Sequence, residues 1–248
     1  KGNYGGDLPR FLCICVMYNV KKNEKNRYCV SIASGGRKEF LKCREVWKVM
    51  MPAEVAAYFL KHQDLRLRLE FQIVLQCAPF LKGLRASSLI ALEERLCGEL
   101  PEFFRGTKVI WRILEVRKEK ALVFFYRREE LEESVNRPGI RRILGRFGYR
   151  GMGLEEMLDT LTERMDAPGR EEKSFPHEIG AFLGYPAGDV EGFIRTGGRQ
   201  YLAAGYWKVY QDAICAARTF RSFDDAKIYA VNEFLSGKSL REIVSEEE

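Results

Sequence analysis

Histidine is scarce in this chain: its 248 residues contain two, at His62 and His177. A zincin-type helix needs a second histidine four residues beyond the first. His177-Glu178 is followed at that spacing by Ala181, so the pattern fails. No C-x-x-C occurs. The seven cysteines, at 13, 15, 29, 43, 77, 97 and 215, are odd in number and irregular in spacing, and Cys13-x-Cys15 is tighter than the usual zinc pair. Neither a zinc ribbon nor a thioredoxin-type motif is supported, and no metal site is expected. Reduced thiols in a cytoplasmic protein are the plain reading. No uninterrupted apolar run approaches the roughly 18 residues of a membrane span, so no membrane partner is expected. Residues 11–20, FLCICVMYNV, resemble a signal h-region, but Lys21 and Lys22 follow where a small-x-small cleavage site would stand. Internal repeats and low-complexity tracts are missing too.

What is present suits a globular core: 46% hydrophobic and 12% aromatic residues. The net charge of +6 is unevenly placed. Residues 1–49 hold 11 basic and 4 acidic residues, a net of +7, and residues 50–248 hold 30 and 31, a net of −1. The larger part therefore offers no electrostatic argument for nucleic acid. The first 49 residues also carry four of the seven cysteines and little periodicity. They read as an N-terminal extension, poorly ordered or foreign to the native protein, with the native start at Met50 or Met51. Residues 50–248 read as one α+β domain with a polar linker at 167–173.

Apolar periodicity from Pro52 predicts one or two helices ending near Cys77-Ala78-Pro79, because proline cannot continue a helix interior. Ser87-Ser88 precedes an expected amphipathic helix over Leu89–Leu100, ended by Pro101. Residues 107–116 and 120–127 are β-branched and aromatic runs around a short polar turn, which predicts a hairpin with at least one buried face. Helices are expected over Glu129–Val135, from Pro138 to about Arg146, and over Leu154–Met165. Tyr201–Tyr210 reads as a strand joining the hairpin sheet. Ala213–Phe223 and Asp225–Leu235 read as two helices, with Asp224 as cap of the second. Ser239 and Glu242 form a capping box for a short terminal helix. The class is α+β, mainly helical around a small antiparallel sheet.

The most distinctive stretch is Phe175-Pro176-His177-Glu178-Ile179-Gly180-Ala181-Phe182-Leu183-Gly184-Tyr185-Pro186, followed by Asp189-Val190-Glu191-Gly192-Phe193. Its prolines and glycines among large apolar residues predict a constrained turn between two helical segments, with Gly184 at the turn and the second helix over Pro186–Arg195. Such a pair could read DNA. However, Asp189 and Glu191 on the second helix repel phosphate, and Arg195 stands alone, which argues against nucleic acid. The alternative is a regulatory or interaction module built on residues 179–195. Arg137, Arg141, Arg142, Arg146 and Arg150 form a basic cluster that nearby glutamates can neutralise.

Two further features carry chemistry. His177 can act as an acid–base or ligating group. Paired with Cys77, next to the bend at Ala78-Pro79, and with Glu178, it gives a candidate catalytic set. Buried cysteine as a small hydrophobe and histidine as a helix cap are the competing readings. Tyr185, Asp189, Tyr206, Trp207 and Lys208 are candidate ligand-binding residues, since Gly205-Tyr206-Trp207-Lys208-Val209-Tyr210 can stack on a flat molecule. No cofactor, reaction or oligomeric state follows. A small-molecule or cofactor-binding protein, an enzyme among the options, is the leading expectation, with its site between the Cys77-Ala78-Pro79 turn and the 175–193 stretch.

The 175–193 stretch together with GYWKVY at 205–210 resembles the domain of unknown function 3793 family, found mainly in anaerobic Gram-positive bacteria. Cys77-Ala78-Pro79, Leu84-Arg85-Ala86-Ser87-Ser88-Leu89 and the strand ending Tyr126-Arg127 fit the same family. The resemblance covers roughly residues 51–223. It implies a cytosolic bacterial protein with a shared site or core, and transfers no activity. It also implies that Ala204 stands where relatives commonly carry cysteine, which weakens any thiol cluster there.

Overall fold

A computed structural model describes residues 59, 61–167 and 175–244, and the backbone of 30–34 and 37–41. The assignment of residues 1–49 to an extension, and of a native start to Met50 or Met51, falls largely outside the described residues. Within it, β1 (Val30–Ser34) pairs antiparallel with β2 (Arg37–Leu41). Residues 168–173 of the expected linker also lie outside.

The order then runs α1 (Leu65–Leu81), β3 (Ser87–Glu93), a 3-10 turn at Glu94–Glu99, α2 (Leu100–Phe103), β4 (Ile110–Arg117) and β5 (Lys120–Tyr126). It continues with α3 (Arg128–Asn136), α4 (Pro138–Arg146), α5 (Leu154–Met165), α6 (Ile179–Phe182) and α7 (Ala187–Thr196). β6 (Ala203–Ala204), β7 (Lys208–Val209), α8 (Ala213–Leu235) and α9 (Leu240–Ile243) complete it. This is the α+β class expected. Among the described residues, no helix is long and apolar enough to cross a membrane.

The centre is a three-stranded antiparallel sheet in the order β3-β5-β4. β5 is buried almost throughout because both its faces are covered. Side chains alternate along a strand, so Ala121, Val123 and Phe125 enter one apolar cluster while Leu122, Phe124 and Tyr126 enter another. The first cluster lies under α1 and the C-terminal part of α8. The second lies under α3, α4, α5 and α6. Residues on both sides of the expected linker, Met165 and Phe182, share the second cluster. The run KALVFFY therefore shows no alternation in polarity, as expected of a strand buried on two sides.

Lys118 and Glu119 join β4 to β5 at φ 47° and 63°. Two left-handed residues make the tight turn whose twist suits a hairpin. β4 carries a register shift between Ile113 and Glu115, which leaves Leu114 as an extra residue.

Four local expectations need correction. Residues 87–93 form a strand rather than the start of a helix over Leu89–Leu100. Leu, Ala and Glu favour helix locally, but all seven residues find partners on β5 from Ser87↔Tyr126 to Glu93↔Lys120. Helix α1 runs through Pro79 to Leu81, because proline in the last turn costs a single hydrogen bond. The carbonyls of that turn are taken by the buried Arg127, whose guanidinium donates to Phe80 O (2.9 Å) and Leu81 O (3.4 Å). Residues 201–210 do not join the central sheet. They form the separate hairpin of β6 and β7. Finally, α8 is one continuous helix capped by Asp212, whose carboxylate accepts from Cys215 N at 2.8 Å. Asp224 is not a cap; its carboxylate accepts from the Tyr206 hydroxyl at 2.8 Å.

The C-terminus closes on α1 through a charged clasp. Glu233, 9% exposed, pairs with Lys82 and accepts from Lys238 at 2.7 Å. Lys82 also donates to Ile243 O at 2.8 Å. Glu70 accepts from Leu240 N at 2.8 Å, and the expected capping box of Ser239 and Glu242 forms. Burial acts to raise the Glu233 carboxyl, but the two ammonium groups outweigh it and hold the pKa below its ordinary 4.5. A carboxyl lowered on folding adds stability that is full above its unfolded pKa and fades as pH falls through the folded one. Glu233→Gln will therefore be less stable than the native chain at neutral pH in urea unfolding, and the gap will close as pH drops below about 4.5.

Candidate functional site

The 175–193 stretch folds as the short α6, a turn and α7. Gly184 sits at φ 69°. Its N–H donates to Ala181 O (3.2 Å) and that of Tyr185 to Gly180 O (3.0 Å), the reciprocal pair that ends a helix with a left-handed glycine. Pro186 precedes α7, where a missing N–H costs nothing. The turn carries Tyr185 to the 205–210 segment, where its hydroxyl donates to Tyr206 O at 3.3 Å.

Asp189, 5% exposed, ties these two parts together. Its Oδ2 accepts from Trp207 Nε1 at 2.7 Å, and its Oδ1 accepts from the backbone N–H groups of Tyr210 (2.7 Å) and Gln211 (3.2 Å). Three donors on one buried carboxylate replace the water it has lost. The approach is close enough that glycines are needed. A Cβ on Gly192 would fall on Cβ and Cγ of Tyr210, and one on Gly205 would fall on the Phe220 ring.

The candidate residues fall in different places. Cys77 is fully buried in the cluster under α1, on one face of the sheet. Glu178, 2% exposed, lies toward the other face, where it pairs with Arg164 and accepts from the Tyr149 hydroxyl at 3.2 Å. Burial and then the Glu178 charge push the Tyr149 phenol well above its ordinary value. The Arg164 guanidinium also lies 4.8 Å from the centre of the Tyr149 ring. His177, next in sequence, is exposed, with its ring edge-on to Phe193 at 5.5 Å. The sheet thus separates Cys77 from His177 and Glu178. Among the described residues, no group of three or more His, Cys, Asp or Glu could hold a metal ion.

Lys208 donates to Gly198 O and lies 5.0 Å from the Tyr201 ring centre. Burial lowers its pKa. Trp207, 7% exposed, stacks on Tyr185 at 5.3 Å and meets Phe220 edge-on at 4.6 Å. The basic cluster at 137–150 is partly paired: Arg146 with Glu191 at 2.7 Å and Arg137 with Glu133 at 3.6 Å.

Two of the candidates, Tyr185 and Tyr206, line a groove beside α1 and β3. Pro79 and Phe80 form one wall, and Ser88, Leu89 and Ile90 form another. Arg85 and Lys227 bring positive charge to it. The Arg85 guanidinium lies 5.4 Å from the Tyr185 ring centre and donates to Leu183 O at 2.8 Å. The Lys227 ammonium lies 5.1 Å from the Tyr206 ring centre. The groove runs between Pro79 and the turn at Leu183 and Tyr185, and His177, Cys77, Glu178, Asp189, Trp207 and Lys208 do not line it. Sequence reasoning passed over Arg85, inside a stretch it quoted, because an isolated arginine has no periodic signal. Lys227 gave no signal at all.

Fold and groove together define an α+β protein with a cationic, aromatic-walled groove at one edge of its central sheet. The chain belongs to the DUF3793 family, described as a protein of unknown function, which matches residues 73–244. That match begins later than expected and runs on through α8 and α9. No curated protein and no solved structure matches the chain.

Two substitutions probe the Asp189 junction. Asp189→Asn must turn an N–H toward the Trp207 N–H or toward the two backbone donors, and will cost about 1–3 kcal/mol in urea unfolding. Gly192→Ala will cost a similar ~1–3 kcal/mol, because Tyr210 is blocked at its root. Gly188→Ala meets only the amide end of Gln211, which can swing aside, and will cost less.

Proposed function

We propose that the protein binds a small organic anion with a flat apolar body in the groove beside α1 and β3. The observation that carries this reading is the convergence of Arg85 and Lys227 with the rings of Tyr185 and Tyr206. A guanidinium and an ammonium attract a carboxylate or similar group, and the rings and Pro79 take the apolar part.

The alternative, a DNA-reading or interaction module on residues 179–195, finds less support. α7 packs against α4 and β7, its Asp189 is engaged inward, and its Glu191 is paired with Arg146. That leaves little of the helix for a groove of DNA.

The test is a titration followed by tryptophan fluorescence, since Trp207 stacks on Tyr185. Two probes of equal shape are compared: 3-phenylpropanoate and the neutral 3-phenylpropanol. The acid will bind in preference to the alcohol. Arg85→Gln and Lys227→Met, which keep the side-chain stems, will each weaken it roughly five- to ten-fold. Equal binding of acid and alcohol, or indifference to both substitutions, would sink the reading.

A further inference from the structure

We infer that the groove recognises a secondary amide beside the ligand's anionic group, the arrangement of an N-acylated amino acid. This rests on the reading of the groove as an anion site and adds to it a class of ligand. It follows from the free edge of β3. In an antiparallel strand, successive residues turn their N–H and C=O alternately to the two sides. Ala86 O accepts from Arg127 N at 3.1 Å, which extends the β3–β5 ladder and sets the even-numbered residues of β3 toward β5. From the opposite side, the Gln72 side chain donates to Ala91 O at 3.0 Å. Ser87, Leu89 and Ala91 therefore turn their main-chain groups away from the sheet.

Ser88, Leu89 and Ile90 all line the groove, although their side chains alternate between the two faces. Three consecutive residues can share a groove only if it follows the strand's edge. Gln72 occupies the Ala91 carbonyl. Leu89 is left with an N–H donor and a C=O acceptor side by side, the pair that a neighbouring strand would use. Among the described residues, no strand stands beyond β3 on this side.

A secondary amide supplies the matching pair. Its carbonyl accepts from Leu89 N–H, and its N–H donates to Leu89 O. In an N-acylated amino acid the carboxylate is one carbon removed from that nitrogen, within the same groove as Arg85 and Lys227. The amino-acid side chain then lies among Pro79, Tyr185 and Tyr206. A plain carboxylate satisfies the cations and leaves the Leu89 pair unused.

The full chain is titrated by calorimetry with three probes: N-acetyl-L-phenylalanine, its N-methyl-amide-nitrogen counterpart, and 3-phenylpropanoate. N-acetyl-L-phenylalanine will bind roughly ten-fold tighter than either of the others, one of which lacks the N–H and the other the whole amide. In a 15N-leucine-labelled chain, the Leu89 amide resonance, assigned by its loss in Leu89→Ile, will shift with N-acetyl-L-phenylalanine and stay with 3-phenylpropanoate. If the three bind alike and Arg85→Gln weakens all of them, or if the Leu89 resonance does not move, the amide inference is overturned while the anion site stands. If none binds, or binding ignores Arg85→Gln, both readings fall together.

Discussion

The Asp189 carboxylate is the contact on which the junction of α7 with the β6–β7 hairpin depends. It is nearly out of water, and it is held by one indole and two backbone N–H groups. Those donors come from a segment some twenty residues further along the chain. Their attachment sets the path of the β6–β7 hairpin against α7. Trp207, so placed, supplies the surface on which Tyr185 stacks, and Tyr185 in turn faces the Arg85 guanidinium. A buried carboxyl group with three hydrogen bonds thus aligns one wall of the groove. The glycines at 192 and 205 are its steric counterpart, since they let the segments approach until the donors reach it.

The same structure shows two ways to manage the exposed edges of a short sheet. At β4 the extra residue Leu114 interrupts the ladder, and Arg112 and Arg117 flank it with charge, both ion-paired within the chain. A kinked, charged edge is a poor template for another strand. At β3 the edge is regular. It is sheltered by a groove whose far side comes from the turn after α6, the β6–β7 hairpin and α8. Beyond β3 no further strand pairs with Leu89 among the described residues.

How much of this was legible in the sequence varies with the physical origin of each element. The hairpin of β4 and β5 was readable because β-branched and aromatic side chains prefer a pleated, buried surface, and a short polar turn marked its centre. Helices α3 to α5 were readable from their apolar spacing, from Pro138 and from the glycines before and after. β3 was not readable. SSLIALE carries the local preference of a helix, and its strand conformation exists only because β5 offers seven partners. The continuity of α8 was hidden by Asp224, which resembles a cap. In the folded chain Asp224 accepts from Tyr206, so it does not end a helix.

For the site, the stretches singled out in the sequence are put to different uses by the tertiary structure. Asp189, Trp207 and Glu178 hold the fold, whereas Tyr185 and Tyr206 line the groove. Residue type and local spacing determined the α+β class, the turn at Gly184 and the family to which the chain belongs. Only the tertiary structure decided which face of the sheet each segment covers. That choice separated Cys77 from His177 and brought Arg85 and Lys227 to one groove. It had to, because contacts between residues far apart in sequence carry no local periodicity. They exist only once burial of the two apolar clusters has set the path of the chain between them.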